Sequence, residues 1–72
     1  MNEVDTSPYV VVVDKHGGKA SVYYSNSGEH EIIFSDDQNH KFFTEKYAEC
    51  PIELVEKAAI DWAEGNRNLI GV

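Results

Sequence analysis

The rhythm of hydrophobic and polar positions changes along the chain, and each rhythm predicts a different element. Tyr9 to Val13 is an unbroken apolar run rich in β-branched residues, the pattern of a strand covered on both faces or central in its sheet. From Ala20 to Ser25 the period is two: Ala20, Val22 and Tyr24 alternate with Ser21, Tyr23 and Ser25, which predicts a half-buried strand. His30 to Phe34 reads as a third strand, started by a turn at "NSGE" in which Asn26 and Gly28 can take positive φ. Ser35 to Cys50 supports two readings. Phe42-Phe43-Thr44 favours a fourth strand over Lys41 to Tyr47, whereas Ser35 with Gln38 would make the capping box of a short helix. The strand is the favoured reading.

From Pro51 the period lengthens to that of a helix. Pro51, Ile52, Leu54, Val55, Ala58, Ala59, Trp62 and Ala63 share one half of the wheel, and Glu53, Lys57, Asp61 and Glu64 the other. Pro51 suits a first helical position and Gly65 a C-terminal stop, so the helix is expected over about 51–64. Ile60 breaks the pattern by lying among the charges. Residues 1–8 read as an irregular lead-in, and Leu69 to Val72 as a short edge strand that would leave the valine run inside the sheet. The whole, residues 1–72, is expected to be a single small α+β domain: an antiparallel three- or four-stranded meander with one C-terminal helix packed on one face.

Size changes the functional picture first. A chain this short buries only about 60% of the surface its unfolded form exposes, so a flat binding surface is easier to build than a deep catalytic cleft. Cys50 is the single cysteine, which excludes an intrachain disulfide and a cysteine-based zinc site and fits a reducing, cytoplasmic compartment. No secretory signal pattern and no apolar run of membrane-spanning length is visible. The net charge of −7 disfavours direct contact with nucleic acid or anionic membrane. Most of the acids fall between residues 29 and 64, so the negative field belongs to the second half.

The one stretch that resembles a chemical motif is His16-Gly17-Gly18-Lys19. A phosphate loop needs a following helix N-terminus, and an oxyanion loop needs a nucleophile elbow; a β-alternating stretch follows instead and no G-x-S-x-G exists. Asp14 and the two glycines supply what a tight hairpin requires, and that is the expectation. His16, His30 and His40 lack metal-ligand spacing, and His30 reads as an exposed strand start. No metal or cofactor is expected. Cys50 before Pro51 is the best-placed nucleophile, since a helix N-terminus activates a thiol, but Glu49 and Glu53 oppose the thiolate.

The favoured expectation is a non-enzymatic interaction or regulatory module, an inhibitor or adaptor that binds a basic protein surface or associates with itself. Its candidate interface combines apolar Tyr23, Ile33 and Ile60 with the acids Glu29, Glu31, Asp36, Asp37, Glu53 and Asp61. The alternatives are a small-molecule-binding or thiol-dependent domain using Cys50 with His40, and a structural subunit of a larger assembly.

Overall fold

A computed structural model describes residues 7–67. Four strands, β1 (Val10–Val13), β2 (Lys19–Tyr23), β3 (Glu29–Ser35) and β4 (Lys41–Ala48), precede one helix, α1 (Ile52–Ala63). The strands form one antiparallel sheet in the order β1-β2-β3-β4, and α1 packs on one face against β1, β2 and β3. The expected α+β meander is therefore present, with Lys41 to Tyr47 in a strand.

Alternation decides what each strand buries. Ala20 and Val22 from β2 and His30, Ile32 and Phe34 from β3 point toward the helix, where Val55 and Ala59 meet them. The apolar members of this set, Ala20, Val22, Ile32, Phe34, Val55 and Ala59, are wholly buried, each of the larger side chains contributing roughly 1.5–3 kcal/mol. Trp62 and Phe34 meet in an edge-to-face arrangement at a centroid distance of 5.0 Å, closing this core toward the C-terminal end of α1.

Three expectations are corrected. Among the described residues the valine strand is an edge strand: Val10 and Val12 face the core while Val11 and Val13 are 41% and 56% exposed. A run of β-branched residues reports a strand but not its neighbours, because pairing is set by distant residues; the strand expected at Leu69 to Val72 lies outside the described residues. His30 is buried rather than exposed, because its parity puts it in line with Ile32 and Phe34. Its Nδ1 accepts the Ser25 N–H at 3.1 Å, and its ring stacks 5.0 Å from Tyr24, which lies past the end of β2 and is exposed. Leu54, placed by the wheel on the apolar half of the helix, is 55% exposed, since the sheet covers a narrower stripe around Val55, Ala59 and Trp62.

The helix ends as its sequence implies. Pro51 stands one position earlier than expected, at the N-cap, where no side chain caps the first turn. At the other end Gly65 takes φ +80°, its N–H reaches the Trp62 carbonyl, and the Asn66 N–H reaches the Asp61 carbonyl. These two bonds form a Schellman cap that turns the chain back over the sheet. Arg67 then reaches Glu45 and Tyr47 on the inner face of β4.

Candidate functional site

The β1–β2 and β3–β4 connections lie at one end of the sheet and have the same construction. In the first, the Asp14 N–H donates to the Gly18 carbonyl (2.8 Å) and the Gly17 N–H to the Asp14 carbonyl (3.2 Å). Asp14 Oδ1 accepts the N–H groups of His16 and Gly18 at 2.8 and 2.7 Å. In the second, Asp36 N–H donates to His40 carbonyl and Asn39 N–H to Asp36 carbonyl, both at 3.0 Å. Asp36 Oδ1 accepts from Gln38 and His40 at 2.9 and 2.8 Å. The fourth residue of each turn is left-handed, Gly17 at φ +88° and Asn39 at +68°, a conformation that glycine and asparagine tolerate best. His16-Gly17-Gly18 is thus the bend of a hairpin.

Because both aspartates spend one oxygen on their own turn, the second oxygen of each is left at the loop end. The hairpins touch there: a Cβ on Gly17 would stand 2.9 Å from the Asp37 Cβ, and Lys19 Nζ donates to Asn39 Oδ1 at 3.0 Å. Between them lies a cavity of about 280 Å³ lined by Asp14, His16, Gly18, Asp36, Asp37, Phe42 and Trp62, with Ser35 at its base. Gly18 keeps it open, since a Cβ there would approach Asp14 Oδ2, the Ser35 carbonyl and Trp62 to 3.2–3.3 Å. Phe42 enters through a shift of register between Phe34 and Ser35, which pairs Lys41 with Ser35 and leaves Phe42 out of the ladder.

Charge in this notch is set by the carboxylates. The Asp36 carboxyl is held below its ordinary range chiefly by the His40 backbone N–H, with the Gln38 N–H and the His40 ring adding to it. His40 Nδ1 lies 3.5 Å from Asp36 Oδ2. Asp37 is exposed and engages no ion pair among the described residues. Carboxylates beside two aromatic rings make a site suited to an organic cation, which gains both charge and ring-face contact.

The structure distributes the sequence-derived interface residues over separate surfaces. Tyr23, Ile33, Glu29 and Glu31 belong to the sheet face away from the helix, with Tyr23 opposite Glu31, and Ile33 between Ser21 and Thr44. Tyr23 and Ile33 are half-buried there, and Glu29 and Glu31 border a second hollow of about 310 Å³ with Lys46, Tyr47 and Ala48. Glu53, Ile60 and Asp61 lie on α1, on the other side of the sheet, where Asp61 pairs with Lys57 at 3.4 Å. Asp36 and Asp37 are at the notch. The alternative pairing of Cys50 with His40 is not assembled, because the two flank opposite ends of β4, separated by roughly 23 Å of extended chain. Asp14, Phe42 and Trp62 escaped sequence reasoning; the shared turn signature of "DKHGG" and "DDQNH" was the available signal for the first.

Among the described residues no set of His, Cys, Asp and Glu could hold a metal ion, and no helix is long and apolar enough to cross a membrane. In comparisons with known proteins, no family model matches the chain, and neither does any curated protein or solved structure.

Proposed function

We propose that the protein is a small non-enzymatic interaction module, acting in the cytoplasm, whose loop-end notch receives a lysine or arginine side chain from a basic protein surface. The observation that carries this reading is the convergence of Asp14, Asp36 and Asp37 with Phe42 and Trp62 around one cavity. An arriving cation meets the carboxylates of Asp14 and Asp36 already held by backbone hydrogen bonds, so little side-chain entropy is lost there on binding. The acids elsewhere, among them Glu29, Glu31, Glu53 and Asp61, act at longer range by raising the encounter rate with a positive partner.

Trp62 is the only tryptophan, so its fluorescence reports on the notch. Titration with a lysine- and arginine-rich peptide is expected to change that fluorescence saturably, less so as salt is raised, with Asp37→Asn weakening binding about tenfold, or ~1.4 kcal/mol. A flat titration, or one indifferent to Asp37→Asn and to salt, overturns the assignment. Capture from the native host at two salt concentrations then identifies the partner, which should be basic and released at the higher salt.

A further inference from the structure

A different part of the molecule points to a second contact. The two edges of the sheet are built unlike one another. On β4, Lys41, Glu45 and Lys46 bring charge to the strand, Phe42 is out of register, and Arg67 lies across the inner face. These are ordinary devices against edge pairing. β1 has none of them: its four residues are all valine, it pairs with β2 in unbroken register, and no charge occurs between Ser7 and Val13.

The free backbone groups of β1 can be located. The Asp14 N–H bond to the Gly18 carbonyl continues the register of Val12 with Ala20, so Val10 and Val12 direct their groups to β2. Val11 and Val13 therefore direct N–H and C=O outward, with exposed side chains on the uncovered sheet face.

We infer that β1 pairs with β1 of a second copy, antiparallel about a twofold axis through Val12, joining two sheets into one. In that register Val11 of one copy exchanges both hydrogen bonds with Val13 of the other. Every outward group on the two residues finds a partner, and valine meets valine on both faces. The occupant is a second copy because the strip is self-complementary in hydrogen bonding and free of charge, while the acids of the described residues lie on β3, β4, α1 and the loops. The edge is short, and weak interfaces fall below about 1,200 Å², so the dimer is reversible. β1 runs toward the notch, so the twofold places the two notches at opposite ends of the joined sheet. Salt separates this contact from the notch: screening the like net charges strengthens the dimer, whereas it weakens binding of a cation.

Analytical ultracentrifugation of the full chain across micromolar to millimolar concentration tests it. The expected result is a mass rising from 8.1 kDa toward twice that value, at lower concentration when salt is raised. Val11→Lys with Val13→Lys should remain monomeric at every concentration while keeping the wild-type circular dichroism. Should that variant misfold, Val11→Pro serves instead, since the lost N–H points away from β2 and the fold's own ladder survives. Wild-type protein that stays monomeric throughout, or a dimer that survives Val11→Pro, overturns the inference.

Discussion

The β1 and β4 edges carry the same number of neighbours in the sheet but opposite kinds of chemistry. β4 is charged, out of register at Phe42 and crossed by Arg67, whereas β1 is four valines with no outer neighbour among the described residues. The difference teaches that this small chain has concentrated its protection on one side. The hairpins feeding the two edges share one turn geometry, so the contrast lies in the strands and not in how they are connected.

The turns nonetheless differ at their left-handed residue, and changing it should have the largest effect. Gly17→Ala on the β1 side forces a side chain into the left-handed region and into the Asp37 Cβ at 2.9 Å. Its expected cost is about 2–3 kcal/mol in urea unfolding, from αL strain together with overpacking. Asn39→Gly on the β4 side relieves milder strain but loses the acceptor for Lys19, so its effect should stay within about 0.5 kcal/mol. Equal effects at the two positions would mean the turns are not distinguished by the Gly17–Asp37 approach.

Removing the cover on β4 should come next. Glu45 accepts from Tyr47 Oη at 2.7 Å and pairs with Arg67, both side chains of the pair being about a quarter exposed or less. Glu45→Ala strips both bonds and leaves the guanidinium against Tyr47 alone. A loss of about 1–2 kcal/mol is expected in thermal or denaturant unfolding, the scale of hydrogen bonds to charged groups. A change under a few tenths would show that Arg67 does not hold the chain across β4.

How much of this was legible in the sequence divides along the same line. Local rules carried the strands, the helix and its glycine stop, because periodicity and turn chemistry are written in neighbouring residues. Position within the sheet was not legible. Four consecutive valines fit a central strand and an edge equally well, and only the pairing, with β2 alone among the described residues, separates them. His30 was misread for a related reason: its polarity suggested exposure, yet parity with Ile32 and Phe34 buries it, and the Ser25 N–H satisfies it there. The notch was half legible. Asp36 and Asp37 stood out as acids, but Asp14, Phe42 and Trp62 join them only through a hairpin, a shifted register and the far end of a helix.

The smallest expected effects are in pH, and they fall on opposite sides of neutrality. Burial raises the Tyr47 hydroxyl above its ordinary 10.0, with the bond to Glu45 adding to the rise and Arg67 opposing it. The folded protein thus holds that proton more tightly than the unfolded chain. Its contribution is complete below pH 10 and is lost as the pH climbs through the raised value, so Tyr47→Phe should flatten the alkaline limb of stability. Asp36 has the reverse sign. Its carboxyl is depressed below 3.8, first of all by the His40 backbone N–H, so its contribution is present above that value and fades as the pH falls through the lower one. Because Asp36 is open to solvent, screening keeps this limb shallow. Asp36→Asn, which retains an oxygen for the turn, should remove the acid slope at little cost near neutrality, read from thermal melts across pH 2–7. An acid slope unchanged by Asp36→Asn would assign it to other carboxylates and leave the β3–β4 turn without a titrating member.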